Sequence, residues 1–201
     1  GIWYTPVTGI WQTVWIEPVP AANHIAGITT RSDIRAGVLS VDVKTARTGS
    51  DRVCVTLSAD GKTLAERSSM AGQPVHLAVE HPRLWSPDDP YLYDLTVTLV
   101  RDGRVIDRAE SYAALREIAT GRDANGIERM TLNGRPLFHF GPLDQGWWPD
   151  GLYTAPTDEA LLYDIRFTKQ LGFNMIRKHI KVEPERWYWH CDREGILVWQ
   201  D

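Results

Sequence analysis

The sequence predicts two architectures in series: an immunoglobulin-like β-sandwich and, after it, a parallel α/β fold that is either open or closed into a barrel. Three observations predict this multi-domain order. Residues 38–112 alternate apolar with polar or small residues, which is the period of a half-buried strand. Asp-Gly pairs separate the alternating segments. Residues 157–200 instead combine short apolar runs with helical periodicity.

The strands of the predicted sandwich are short and closely spaced. Asp60-Gly61 and Asp102-Gly103 are turn pairs typical of tight hairpins. They help to divide the alternating part into six or seven strands without a helix between them, as in an immunoglobulin-like sandwich. We expect this part of the chain to serve as a scaffold. The four clearest segments are VLSVDV (38–43), RVCVTLS (52–58), PVHLAV (74–79) and YLYDLTVTLV (91–100).

The periodicity changes after Glu117. Asn125-Gly126 and Asn133-Gly134 predict a short hairpin. This hairpin leads into the apolar run LFHF at residues 137–140. A parallel α/β pattern follows it.

Two helices alternate with strands in this second part. Thr157 can cap the first helix and Gly172 can end it. FNMIR (173–177) and ILVWQ (196–200) predict strands, and residues 184–194 between them predict a second helix. Strand, helix, strand, helix, strand is the repeat of a parallel α/β fold. The predicted apolar stripe of the first helix consists of Leu161, Leu162, Ile165 and Leu171.

The pattern stops at Asp201, directly after an apolar strand. Parallel strands are normally paired and covered on both faces, and three strands with two helices cannot close a barrel. We therefore expect the sequence to be a piece of a longer protein. Apolar strand faces left open would favour self-association through the barrel edge.

The composition is that of a folded protein, and it argues against several functions. The 201 residues carry 22 Lys and Arg against 26 Asp and Glu, a net charge of −4. No basic region typical of nucleic-acid binding stands out. No apolar run approaches the about 20 residues of a membrane-spanning helix, so no membrane partner is predicted. Cys54 and Cys191 suit buried thiols better than a metal site, and no cofactor motif occurs.

Several segments carry the motifs of one enzyme family. Residues 172–201 place Asn174, Arg177 and His179 before a helix with Asp192 and Gly195. On these motifs the chain resembles glycoside hydrolase family 2, which holds bacterial β-galactosidases, β-glucuronidases and β-mannosidases. One departure is visible. Many members place two residues between the Arg and the His of this motif, whereas here Lys178 alone separates Arg177 from His179. The other matching segments are TGIWQTVWIEPVP (8–20), HPRLWSPDDPYLYDLTV (81–97), ALREI (114–118) and NGRPLFHFG (133–141).

The resemblance implies three regions. Residues 1–17 are expected to end a jelly-roll sugar-binding domain, with residues 8–20 holding its final strand. Residues 18–117 would form a complete immunoglobulin-like domain. Residues 118–201 would be the start of a (β/α)8 TIM barrel, about three β/α units, with the first barrel strand in residues 133–141.

The resemblance also implies retaining hydrolysis of β-glycosides by two glutamates, a general acid/base and a nucleophile. In the family the acid/base usually follows an Asn, and this sequence contains no Asn-Glu dipeptide. We expect both catalytic residues to lie beyond Asp201 and the fragment alone to be inactive. The alternative is a non-catalytic carbohydrate-binding or adhesion module, which the sandwich would also permit.

Three C-terminal strand ends, where a TIM barrel builds its active site, supply the candidate substrate-binding residues. The first end is the long loop 141–156, where Asp144 and Trp147, beside Gln145 and Trp148, combine polar groups with aromatic faces that suit a sugar. Packing of the Trp pair is the alternative. The resemblance places Arg177 and His179 at the second end, with a structural ion pair or a core histidine as the alternative. Asp201, at the third end, could bind substrate, orient Arg177 or be a plain exposed carboxylate.

The other aromatic and charged residues are expected to be structural. Among the nine tryptophans, Trp85 and at least one of Trp187 and Trp189 should pack in cores. Trp3, Trp11 and Trp15 would belong to a strand cut from its domain. A solvated helix face is predicted for Glu183, Glu185, Asp192 and Glu194 with Arg186 and Arg193.

Overall fold

The computed structural model describes residues 5–201, which form two compact units. The sandwich unit comprises residues 17–86 and 91–137. The β/α unit comprises residues 5–16, 87–90 and 138–201. The three-domain division stays a prediction, and Trp3 of its first segment lies outside the described residues.

Residues 8–20 form no strand, contrary to the expectation of a final jelly-roll strand. Ile10, Trp15 and Ile16 are exposed at 84%, 72% and 97%. A strand needs a neighbour for its backbone N–H and C=O groups. Within residues 5–201 no strand pairs with this segment.

The sandwich unit confirms the strands predicted from the period-two pattern. Its main strands are β1 (Ile25–Asp33), β2 (Val38–Thr45), β3 (Arg52–Ala59), β4 (Lys62–Met70), β5 (Val75–Ala78), β6 (Tyr93–Arg101) and β7 (Arg104–Ala113). One antiparallel sheet has the order β1-β2-β5 and the other the order β4-β3-β6-β7. The sequence missed β1, because a register shift between Ile25 and Gly27 interrupts its alternation.

One apolar core joins the two sheets. Leu39 and Leu77 from the first sheet, with Val55, Leu95 and Val97 from the second, are all 0% exposed and belong to one cluster. Burying a side chain of this size contributes about 1.5–3 kcal/mol. The same alternation that predicted the strands therefore supplies the stability of the sandwich.

Tight turns connect the hairpins where the sequence predicted them. Asp60 and Gly61 have φ of 50° and 73°, and Asp102 and Gly103 have φ of 49° and 75°. Positive φ at both central residues is the requirement of a type I′ turn, whose twist matches that of the strands. These turns join β3 to β4 and β6 to β7.

A smaller hairpin follows the sandwich strands within the same unit. It consists of β8 (Ile118–Arg122), β9 (Glu128–Leu132) and β10 (Arg135–Pro136), in the order β10-β9-β8. The Asn133 side chain donates to the carbonyl of Trp85 (3.0 Å) and accepts from the N–H of Glu117 (2.9 Å). The predicted hairpin is confirmed, and Trp85 is buried as expected.

The β/α unit confirms the predicted alternation of strands and helices. Its elements are β11 (Leu143–Asp144), α1 (Asp158–Gln170), β12 (Met175–Lys178), α2 (Glu185–Glu194) and β13 (Leu197–Gln200). The three strands form a parallel sheet in the order β11-β12-β13. No helix in the described part of the chain is long and apolar enough to cross a bilayer.

The first strand of this sheet differs from the expectation. Residues 137–142 contain no assigned strand, and β11 begins at Leu143. The carbonyls of Phe140 and Pro142 still accept from Asn174 and Arg177, both at 3.0 Å. Because proline has no N–H to donate, the ladder is interrupted there.

The first helix begins as predicted, but its buried face is different. The Thr157 hydroxyl accepts from the N–H of Ala160 at 3.1 Å, which caps α1. Leu161 and Ile165 are buried as expected. Leu171 is 57% exposed and does not belong to the buried face. Thr168 is the third buried residue of the helix. The cause is that Leu171 is the C-cap, where the chain leaves the helix.

The second helix ends at a glycine that the packing requires. Gly195 has φ of 78°, and a Cβ there would lie 2.4 Å from the Pro87 carbonyl oxygen and 2.7 Å from Lys169 Nζ. The ammonium of Lys169 itself binds the carbonyls of Pro87 and Gly195. Gly195 thus combines a left-handed C-cap with a close approach of residues 87–90.

We expect Gly195→Ala to destabilise the β/α unit more than Gly172→Ala does. Both glycines have positive φ, so both substitutions cost about 1–2 kcal/mol of conformational strain. Only Gly195 adds a clash, because nothing lies within 4 Å of a Cβ at Gly172. Urea unfolding followed by NMR signals of α2 measures the difference. Equal losses of unfolding free energy would contradict the packing role.

Candidate functional site

The strand β12 presents two chemically different faces. Ile176 is buried in a core with Leu161 and Ile165 of α1, and Lys178 Nζ lies 4.4 Å from the ring centroid of Trp187. Successive side chains point to opposite faces of a strand. Arg177 and His179 therefore lie on the face away from the helices.

Arg177, His179 and Asp201 come together on that face. Arg177 Nε donates to Asp201 Oδ2 at 2.7 Å, and Arg177 Nη2 binds the same oxygen. Nδ1 of His179 lies 3.0 Å from Asp201 Oδ1. Hydrogen bonds from Arg177, and then from His179, hold the pKa of Asp201 below its ordinary value. The ionised carboxylate can only accept, so Nδ1 carries the proton, and in a neutral imidazole Nε2 is then the acceptor.

An aromatic residue lies on the same face. Trp199 pairs in register with Arg177 across β12 and β13 and is 39% exposed. Its indole N–H donates to Nδ1 of His139 at 2.8 Å. Burial lowers the pKa of His139, which favours the neutral ring that this bond requires. We call Arg177, His179, Trp199 and Asp201 the open face.

Neither Trp199 nor His139 is predicted from the sequence to belong to a site. A signal was available for Trp199, because the two-residue steps 177–179 and 199–201 place all four open-face residues on one side of paired strands. No comparable signal existed for His139. It precedes β11 in a segment without assigned strand structure.

Asp144 lies apart from the open face. It pairs in register with Lys178, so both side chains point to the helix side of the sheet. Lys178 Nζ donates to Asp144 Oδ2 at 2.5 Å, and the N–H of Gly146 donates to Asp144 Oδ1 at 2.7 Å. The side chain of Asp144 keeps 27% exposure. Sugar contact by Asp144 stays a prediction.

A buried charge cluster surrounds Asp144, and most of it is not predicted from the sequence. Glu183 Oε1 accepts from Lys178 Nζ at 2.9 Å and lies 3.0 Å from Lys181 Nζ. Lys178, Lys181 and Glu183 are exposed at only 0%, 4% and 4%. The expectation of a solvated Glu183 was therefore wrong, because two ammonium groups compensate its charge in the interior. We call Asp144, Lys178, Lys181 and Glu183 the charge cluster.

The two tryptophans of the long loop are in different environments. Trp148 packs against the core of the β/α unit and exchanges backbone hydrogen bonds with Leu152 at 2.8 and 3.0 Å. Trp147 is half-buried, with its ring centroid 5.1 Å from that of Tyr153. It lines an open cavity of about 360 Å³ with Asp144 and Asp164. Burial, and then the charge of Asp144, raises the pKa of Asp164.

Other chemistries find no support in the described residues. No group of three or more His, Cys, Asp or Glu within residues 5–201 is placed to hold a metal ion. Cys191 is buried as expected, but Cys54 is only half-buried. Burial raises the pKa of both thiols, which disfavours a reactive thiolate.

Known proteins have sequences similar to this chain over almost its full length. The family model described as glycosyl hydrolases family 2 matches residues 23–116. A putative β-glucuronidase of Formosa agariphila is 31% identical over 206 residues, covering 97% of this chain and 19% of that protein. A β-galactosidase of Lactococcus lactis is 26% identical over 197 residues, covering 96% and 19%.

Residues 23–116 of the chain belong to glycoside hydrolase family 2. A family 2 member from Bacteroides cellulosilyticus has a TM-score of 0.74 at 25% identity, covering 88% of this chain and 26% of its own. The β-glucuronidase of Ruminococcus gnavus has a TM-score of 0.76 at 21% identity, covering 89% and 29%, and shows the fold alone. The chain spans about a fifth of the length of the curated relatives that it matches.

Removing Arg177 should raise the pKa of the Asp201 side chain. Its depressed pKa means that the ion pair is present at neutral pH and is lost as the pH falls through that pKa. In Arg177→Met we expect the carboxyl to titrate closer to its ordinary value of 3.8. Carbon-detected NMR titration of the Asp201 side chain measures this. Arg166→Met, which removes the ion pair between Arg166 of α1 and Glu194 of α2, is the control. An unchanged titration in Arg177→Met would contradict the pairing.

Proposed function

We propose that this chain is part of a retaining glycoside hydrolase acting on β-glycosidic O-linkages, and that its open face lines the sugar site. The observation that carries the proposal is the Arg177–Asp201–His179 group at the C-terminal ends of adjacent parallel strands. This is the edge at which parallel α/β folds bind their ligands.

The open face has the chemistry that a sugar requires. Pyranose hydroxyls need fixed donors and acceptors, which the guanidinium of Arg177, the carboxylate of Asp201 and Nε2 of His179 provide. The ring of Trp199 adds an apolar surface for the C–H face of a sugar. Asp144, the last residue of β11, and Trp147, in the loop that follows, would contribute at the same edge of the sheet.

The catalytic glutamates are proposed to lie beyond residue 201. Retaining hydrolysis needs two carboxyl groups about 5–5.5 Å apart, one of them protonated. Asp201 is a poor candidate for either, because Arg177 and His179 already bind its two oxygens. Binding and orientation are therefore the roles that we assign to this chain.

The family also guides a proposal for the fold and the substrate. We propose that the sandwich is immunoglobulin-like, that the β/α unit begins a TIM barrel and that residues 1–17 end a jelly roll. The sandwich's two sheets, in the orders β1-β2-β5 and β4-β3-β6-β7, support the first assignment. Galactosides and glucuronides are the proposed substrates, since a β-galactosidase and a putative β-glucuronidase are among the relatives.

Hydrolysis of nitrophenyl β-galactoside and β-glucuronide tests the proposal. The chain of residues 1–201 should show no turnover, and measurable turnover would contradict the placement of the catalytic pair.

The protein extended by the residues that its gene encodes after Asp201 should be active and release the β-anomer first. Arg177→Met should then lower kcat/KM by about 100-fold, whereas Arg31→Met in the sandwich should not. A stop codon directly after codon 201 would favour a binding or adhesion module instead.

Self-association is proposed from the exposed apolar residues in β11 and in the segment just before it. Phe138, Phe140 and Leu143 are 81%, 54% and 50% exposed. Apolar surface of this kind favours contact with a second copy of the chain. Light scattering should therefore show a mass that rises with concentration, and Phe138→Ser should reduce the rise. A stable monomer at all concentrations would contradict this proposal.

A further inference from the structure

One ammonium group closes the loop that carries Trp147. Lys181 Nζ donates to the carbonyl of Gly146 and to the carbonyl of Tyr153, both at 2.7 Å. These two residues bracket the loop at its base. The third partner of the same ammonium is Glu183, at 3.0 Å. Lys181 therefore uses its three N–H donors on two loop carbonyls and one buried carboxylate.

Gly146 packs closely against the charge cluster, in a backbone conformation that favours glycine. Its φ is 61°, and a Cβ at this position would lie 2.2 Å from Glu183 Oε1 and 2.9 Å from Lys181 Nζ. Its N–H donates to Asp144 Oδ1 while its carbonyl accepts from Lys181. The N–H and the carbonyl of Gly146, the residue before Trp147, are thus both held by members of the cluster.

The aromatic residues of the loop rest on the same group. The rings of Trp147 and Tyr153 make an edge contact at 5.1 Å. Lys181 Nζ lies 5.5 Å from the Tyr153 ring centroid and 5.1 Å from that of Trp11. Lys181, which binds the Tyr153 carbonyl, therefore also supports the residue whose ring Trp147 contacts.

Stability alone does not account for four charged groups here. Replacing a buried ion-pair group with apolar residues of similar volume is often neutral or stabilising. An apolar side chain, however, could not bind two carbonyls and a carboxylate at once. The specific property that Lys181 contributes is the geometry of the loop.

We propose that Lys181 is a positioning residue, which fixes residues 146–153 so that Trp147 is preorganised to contact the sugar. Glu183 holds Lys181 in place and links it to Lys178 on β12. The loop follows the C-terminal end of β11, at the sheet edge that carries the open face. This inference rests on the proposed function and deepens it, because it adds a residue remote from the open face to the sugar site.

The first experiment measures the loop without any sugar. The amides of Trp148 and Leu152 are hydrogen-bonded across the loop, so their hydrogen exchange reports on its order. In the 201-residue chain we expect Lys181→Met to speed both by at least 10-fold. Exchange at Val97, in the sandwich core, should not change, and Lys62→Met, an exposed lysine on β4, is the matched control.

A double variant separates loop geometry from charge balance. Lys181→Met with Glu183→Gln removes one charge of each sign, so the remaining Asp144 and Lys178 stay balanced. Part of the thermal stability lost in Lys181→Met should return, but the exchange of Trp148 and Leu152 should stay fast, because no donor replaces the ammonium. Slow exchange in the double variant would show that only charge balance matters and would overturn the proposal. Gly146→Ala should speed the same two amides while every charge is retained.

The second experiment adds the sugar. Methyl β-galactoside and methyl β-glucuronide are titrated into the chain, and the indole N–H signal of Trp147 is followed by NMR. At least one sugar should shift this signal, and Lys181→Met should weaken its binding at least fivefold while Lys62→Met leaves it unchanged. A loosened loop with unchanged affinity would overturn the positioning role. No shift with either sugar in the unaltered chain would instead contradict the proposed sugar contact of Trp147 and, with it, the inference.

Discussion

The alternation of side chains along β12 is the constraint on which the chemistry of the β/α unit depends. One residue step separates Arg177, on the open face, from Lys178, whose side chain is buried beneath the helices. A shift of one residue in register would exchange them. It would place an ammonium on the open face and force the guanidinium of Arg177 into the core. The apolar residue Ile176, packed against α1, fixes the register and so prevents that exchange.

The two faces hold ion pairs of different physical kinds. Arg177 and Asp201 are 44% and 40% exposed, and a pair in such surroundings contributes only about 0–1 kcal/mol to stability. The interaction of Lys178 with Glu183 is almost fully buried, so losing either partner would leave an uncompensated charge in the interior. The fold therefore depends strongly on the charge cluster and little on the open-face pair. Because the pair adds so little stability, its groups can bind a ligand at little cost to the fold.

The sequence predicted what depends on local pattern and on pairs of adjacent strands. Period-two segments and Asp-Gly turns located the sandwich, and Thr157 located the start of α1. Arg177, His179 and Asp201 were placed together because each follows or ends a predicted strand. The charge cluster could not be predicted in this way. Lys181 and Glu183 follow β12 in a segment without helical or strand periodicity, and their burial depends on a loop far away in sequence. For Asp144, only the register of β11 shows that its side chain points to the helix side of the sheet.

Position within the sheet decides which site residues need outside support. Arg177 and His179 are carried by or directly follow β12, and Asp201 directly follows β13, so backbone hydrogen bonds hold them. Trp147 stands instead in the loop that follows a strand of only two residues. A loop of this kind costs conformational entropy to order, about 1–2 kcal/mol for each residue fixed. The buried ammonium of Lys181 offsets part of that cost before any ligand arrives, which is the physical meaning of preorganisation. The charge cluster thus holds the loop in place, as the backbone hydrogen bonds hold the strands.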